Sequence, residues 1–244
     1  MHAATFVTGE LFGLKFHLDI LIMSWVVMAV LTFISLLATR KLKREPYGLQ
    51  NILETVVQFL QGLLKENIGP KGKGAFPFVA TLFLFILFSN LLGLLWPGVT
   101  KSPTEDLNVT IALALLVFFS MVYYGIKAQG LKKYILSFFK PNFLFFPIHL
   151  IDFLVKPITL AFRLFGNIFA GAVFIQILNM LIKPVIPVVG LVLGVFVGVI
   201  QAYLFLMLSM AYIASAMEEE SAAAEHHPEP SPALPDPGAD RSQE

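Results

Sequence analysis

Five long apolar runs dominate the chain: residues 20–38, 76–96, 107–126, 143–182 and 185–217, with short polar or basic stretches between them. A helix needs about 20 apolar residues to cross about 30 Å of hydrocarbon, and every run is of that size or larger. Strands of a membrane barrel would alternate polar and apolar positions; these runs do not, so helices are the spanning form. Residues 51–67 (NILETVVQFLQGLLKEN) differ in kind. Ile52, Leu53, Val56, Val57, Phe59, Leu60, Leu63 and Leu64 fall mainly on one helical stripe, with Glu54, Gln58, Gln61 and Lys65 on the other side. That pattern predicts a helix lying at the membrane surface. The glycine-rich stretch 69–74 (GPKGKG) ends it. The expected fold is all-α: a polytopic membrane protein with about five membrane helices and one amphipathic surface helix.

The last two runs are too long to stand upright. The 40 residues of 143–182 would make a helix of about 60 Å, twice the bilayer core. Such a helix must break or lean at roughly 60° to the normal, outside the usual 0–40°. Pro147 and Pro157 are the places to bend it, and Pro157 removes the backbone bond to Phe153. With Lys183-Pro184 as the turn, the two runs predict a long, strongly tilted hairpin whose face needs a protein partner.

Composition agrees with this pattern: 57% of residues are hydrophobic and 14% charged, against about 45–50% and about 25% in soluble domains. The net charge of +1 hides an asymmetry. Of 17 bases and 16 acids, one base and eight acids lie in residues 218–244, leaving sixteen bases and eight acids before them. Residues 218–244 also carry Pro228, Pro230, Pro232, Pro235 and Pro237, the composition of a disordered tail. The expected organisation is a membrane-embedded domain, residues 1–217, followed by an acidic cytoplasmic tail, residues 218–244. Arg40, Lys41, Lys43, Arg44, Lys65, Lys71, Lys73, Lys127, Lys132, Lys133 and Lys140 flank the runs on one side; Lys15, Lys101 and Lys183 flank them on the other. This bias predicts an amino terminus outside and a carboxyl terminus in the cytoplasm. The first run lacks the pattern of a cleaved signal peptide and is expected to be retained. No cysteine is present, which excludes disulfides and thiol chemistry. His226 and His227 have no third ligand spaced for a metal, and no cofactor, metal or nucleic acid is expected.

Residues 76–96, 107–126 and 185–217 contain no Asp, Glu, Lys or Arg, whereas 143–182 carries His149, Asp152, Lys156 and Arg163. At 100° per residue, His149, Asp152, Lys156, Thr159, Arg163, Asn167 and Gly171 stay within about 80° of one line. Lys156 can snorkel to an interface and pair with Asp152. Arg163 has no acid within reach on its own helix, and the other four runs contain none, so its counter-ion is expected on another subunit. In the last run, Gln201 is the one strongly polar residue at mid-membrane depth. Gly190, Gly194 and Gly198 repeat every four residues near its face, a spacing that lets another helix approach closely.

These residues carry a resemblance. Residues 156–171 (KPITLAFRLFGNIFAG) closely resemble the signature of subunit a of F-type ATP synthases, as do Gln201-Ala202-Tyr203, residues 103–110 (PTEDLNVT) and Asn90-Leu91-Leu92-Gly93. The motifs follow the family's order and the likeness spans about residues 10–217. It implies a non-catalytic, static subunit of the bacterial plasma membrane that offers two aqueous half-channels beside a rotating ring of c subunits. The b subunits of the peripheral stalk and the rest of the F0F1 complex are the other implied partners. Arg163 would face the ring's essential carboxylate; Asn167 and Gln201 match polar residues near the half-channels, and Asn90 one lining the inlet path. The glycines 190, 194 and 198 are then expected to pack against the ring. Many bacterial members carry Glu where Ala172 stands, His where Gly194 stands and Glu where His149 stands. His149 and Asp152 are therefore expected to serve hydration or proton relay on one side. An ion-coupled secondary transporter is the alternative, but it predicts inverted repeats and an internal ion pair, and neither is found. A membrane scaffold subunit leaves Arg163 unexplained.

Overall fold

The computed structural model describes residues 8–11, 14–40, 48–95, 102–137, 146–181 and 186–218. The expected tail at 218–244 lies, beyond its first residue, outside the described residues, as does the turn at Lys183-Pro184. The elements are β1 (Thr8–Leu11), β2 (Leu14–His17), α1 (Leu18–Thr39), α2 (Leu49–Asn67), α3 (Phe76–Leu95), α4 (Leu107–Gln129), α5 (Leu131–Ser137), α6 (Phe146–Leu181) and α7 (Ile186–Glu218). Short 3-10 turns at Pro70–Ala75 and Pro103–Glu105 precede α3 and α4. The all-α expectation holds, with one small departure. The strands β1 and β2 pair antiparallel from Thr8 opposite His17 to Leu11 opposite Leu14.

Four described helices are long and apolar enough to cross a membrane: Leu18–Thr39, Gly72–Leu94, Leu107–Gln129 and Val189–Met217. The fifth long helix is α6, which holds the charged residues. It runs 36 residues through Pro157 without interruption, so the proline does not break the helix despite the bond it removes. At 1.5 Å per residue α6 is about 54 Å long, still well beyond the hydrocarbon thickness.

α3 lies at the centre. In its most apolar stretch 44% of residues are buried, against 11% in α1, which presents Trp25, Phe33 and Leu36 outward. α7 packs along α3, α4 and α6. The shared core contains Val79, Leu82 and Ile86 of α3, Val117 of α4, Leu160 and Leu164 of α6, and Leu206, Met210 and Ile213 of α7. The stripe of α2 divides: Leu60 and Leu64 enter that core, while Ile52 and Phe59 stay exposed. α2 is thus held by the protein on one edge, and its other apolar edge is exposed.

Two contacts set which helix ends lie together. The Tyr124 hydroxyl donates to the Gly74 carbonyl at 2.9 Å, and Gln129 Nε2 donates to the Ala216 carbonyl at 2.9 Å. The start of α3 and the ends of α4 and α7 therefore share one end of the bundle, the end that carries Lys73, Lys127, Lys132 and Lys133. Gly130 closes α4 at φ 83°, a left-handed conformation that glycine adopts without a Cβ penalty. The chain then doubles into α5, whose Tyr134 is buried with Met121 and Ala216.

Candidate functional site

The polar positions of α6 lie along a seam. Leu160, Ala161 and Leu164 are buried, whereas Ile148, Ile151, Val155, Ile158 and Phe162 are exposed. At 100° per residue, Arg163 lies between these two faces, with Lys156 about 20° from it on the buried side. Lys156 Nζ pairs with Asp152 Oδ2 at 3.3 Å and sits 5.9 Å from the centroid of the Tyr212 ring on α7. The snorkelling pair expected from spacing is present. Tyr212 lies one turn and a half from the end of α7, so the pair belongs near the lysine-rich end of the bundle.

Arg163 is seven residues further along, about 10.5 Å deeper. It is exposed, and among the described residues no carboxylate pairs with it. Asn167, one turn on, is also exposed. No hydrogen bond joins Arg163 to Asn167 or Gln201 among the described residues. His149 is half-buried, and its Nδ1 is enclosed with no hydrogen-bond partner among the described residues. An enclosed imidazole nitrogen without a partner is unfavourable by roughly 1–3 kcal/mol unless water reaches it. A crevice lined by Val117, Phe118, Met121, Lys156, Pro157 and Tyr212 is too narrow to hold water. Thr159 is half-buried between Lys156 and Arg163.

A second polar cluster, buried, lies towards the other end. Asn90 Nδ2 donates to the Gly198 carbonyl at 2.9 Å, and Thr104 Oγ1 donates to Asn90 Oδ1 at 2.6 Å. Ser102 Oγ lies 3.0 Å from the Ser89 carbonyl and 2.6 Å from Thr104 Oγ1; with the Thr104 proton given to Asn90, the single Ser102 proton serves one of these two acceptors at a time. Asn90, Ser102 and Thr104 are 3%, 3% and 0% exposed, so these bonds are made where water does not compete. Together they clasp α3, α7 and the turn before α4. Asp106 completes that turn by capping α4, its Oδ1 accepting from the Asn108 amide at 2.7 Å. Gln201, 6% exposed, sits one turn beyond Gly198 on α7.

The glycines of α7 need correction. A Cβ on Gly194 would lie 2.6 Å from Leu94 Cδ2, and one on Gly198 would lie 3.1 Å from Asn90 Cβ. Both face α3 of the same chain, so Gly194 and Gly198 do not present a surface to a ring of other subunits. Gly190 is buried as well. The four-residue spacing does report close helix approach, as expected, but the helix received is the chain's own. Sequence reasoning also missed Ser102 and Thr104 as buried anchors. Asp106 immediately before an apolar run was a readable N-cap; the hydroxyls beside it had no periodic signal.

Comparison with known proteins shows the family. The family described as ATP synthase A chain matches residues 21–214. The chain is 43% identical to ATP synthase subunit a of Moorella thermoacetica (strain ATCC 39073 / JCM 9320) over 192 residues, 79% of this chain and 87% of that one. The matched region contains α6, all but the last four residues of α7 and the buried clasp, and by this extent of match the chain belongs to the ATP synthase A chain family.

Proposed function

We propose that this chain is the static, non-catalytic ion-path subunit of the F0 sector, passing protons between two half-channels while a ring of c subunits turns past α6. The observation that carries the reading is Arg163: a permanent cation on an exposed face of a helix in a membrane bundle, with no carboxylate pairing it among the described residues. A fixed guanidinium in that setting needs an anion from outside, and a ring carboxylate supplies one. A carboxylate crossing lipid must be neutral, because the ionised form is strongly disfavoured there. Opposite Arg163 the ionised form is favoured, so the proton leaves into one half-channel. The carboxylate takes a proton from the other half-channel before re-entering lipid. The fixed cation also blocks a proton from passing straight between half-channels, which ties transport to rotation.

Asn167, next to Arg163 and equally exposed, belongs to the ring-facing side in this reading. His149, with its enclosed Nδ1, and Asp152 belong to the half-channel at the lysine-rich end, which is assigned to the cytoplasm of a bacterial cell. Gln201 and Asn90 border the half-channel of the opposite end. The b subunits of the peripheral stalk are the remaining F0 partners.

The test is Arg163→Ala in the assembled complex in native membranes. Coupled, proton-driven ATP synthesis is expected to vanish while the complex still assembles. Synthesis at the wild-type rate in membranes carrying that change overturns the proposal.

A further inference from the structure

One hydroxyl in the clasp has a proton and nothing to give it to. Ser89 is 0% exposed, and its Oγ is enclosed with no hydrogen-bond partner among the described residues. A serine inside a helix can discharge its proton on the carbonyl one turn back. Ser209, equally buried on α7, does so to the Phe205 carbonyl at 2.7 Å, and Ser24 and Thr32 on α1 do so at 2.8 Å. Ser89 makes no such bond. A buried hydroxyl left unpaired is disfavoured, and nearly all such groups in folded proteins bond either to protein or to ordered water.

The hydroxyls beside it have the opposite shortage. The Ser89 carbonyl lies 3.0 Å from Ser102 Oγ, which lies 2.6 Å from Thr104 Oγ1. Thr104 has given its proton to Asn90 Oδ1, so one Ser102 proton faces two acceptors. Ser89 Oγ thus needs an acceptor, and the Ser102–Thr104 pair needs a donor. The turn cannot settle this by moving inward. A Cβ on Gly93, one helical turn beyond Ser89, would lie 2.6 Å from Ser102 Cβ and 2.8 Å from its backbone nitrogen, so turn and helix already touch there. A water molecule accepts and donates at once, and buried waters sit where two to four polar groups converge. A cation fits less well. The hydroxyls and the Asn90 amide are neutral, and the nearest carboxylates along the chain, Glu105 and Asp106, are engaged in other contacts; an uncompensated charge in a dry interior is strongly disfavoured.

We propose that the clasp is built around one ordered water, which accepts from Ser89 Oγ and donates to the Ser102–Thr104 hydroxyl pair, pinning the turn before α4 to α3. This inference does not rest on the ion path.

The test is a density map of the intact complex at a resolution that shows ordered water, with thermal unfolding of the purified complex beside it. The expected result is a peak at about 2.6–3.2 Å from Ser89 Oγ and from a hydroxyl of the pair. Ser89→Ala is expected to abolish the peak and lower the thermal midpoint, because the pair loses its second donor. Removing a hydroxyl that had merely been stranded would instead raise the midpoint. Peak and midpoint are both expected to be the same with sodium or potassium as the salt at equal ionic strength. No peak, a Ser89 hydroxyl turned onto the Phe85 carbonyl, a midpoint that holds or rises in Ser89→Ala, or a peak that depends on sodium would each overturn the proposal. The map of the unaltered complex decides the point even where the variant fails to assemble. Neither reading involves transport, so failure here leaves the ion-path proposal standing.

Discussion

At the scale of single residues, two polar groups in the same bundle are placed for opposite ends. Asn90 spends its amide on the protein itself, one side on the Gly198 carbonyl and the other on Thr104. Asn90→Ala strands both partners in a dry interior, a loss of about 1–3 kcal/mol, and Gly198→Ala forces a Cβ against Asn90 for a comparable loss of about 1–3 kcal/mol. Both are expected to lower the thermal midpoint of the purified complex. Gly166, by contrast, has nothing within 4 Å of an added Cβ. Gly166→Ala is expected to leave that midpoint unchanged, so any fall in coupled transport it causes reports contact with another subunit. Arg163 was legible in the sequence because a charge in an apolar run contradicts its surroundings. Ser102 and Thr104 were not, because a hydroxyl in a loop looks the same whether solvated or buried, and only the fold decides. Gly194 and Gly198 were half legible: their spacing announced a close helix but not whose.

At the scale of elements, the apolar runs fixed the helices to within a few residues, since hydrocarbon leaves no other way to satisfy a backbone. Residues 51–67 became α2 with its first turn begun at Leu49, and 107–126 became α4 extended to Gln129. α5 was not foreseen, because seven residues with two lysines carry too short a period to read. The split of α2 has a measurable consequence. Leu60→Ala, in the core, is expected to destabilise by about 2–5 kcal/mol, whereas Ile52→Ala, exposed in the isolated chain, is expected to change detergent-state stability by less than about 0.5 kcal/mol. Thermal unfolding of the two variants in detergent checks the difference. Pro157 shows the limit of local rules: the residue that should end a helix sits inside one of 36 residues, because Leu160 and Leu164 beyond it are buried in the common core.

At the scale of the whole molecule, the bundle is finished on one side and open on the other. Around α3 every polar group of the clasp but the Ser89 hydroxyl has a partner, and the helices interlock. Along α6 and the first half of α7, Ile158, Phe162, Phe169, Val192 and Phe196 stand out beside Arg163, which no carboxylate pairs among the described residues. This division explains why a partner was expected from the sequence while its shape was not: an unmatched charge is recorded by composition, and surface contour is not. It also bears on how a cell builds the machine. In the proposed reading, a newly inserted copy carries Arg163 without its counter-ion until the ring's carboxylate reaches it. On that reading, copies inserted without the ring are expected to be degraded faster than assembled ones, and biogenesis has reason to deliver the acidic neighbour first.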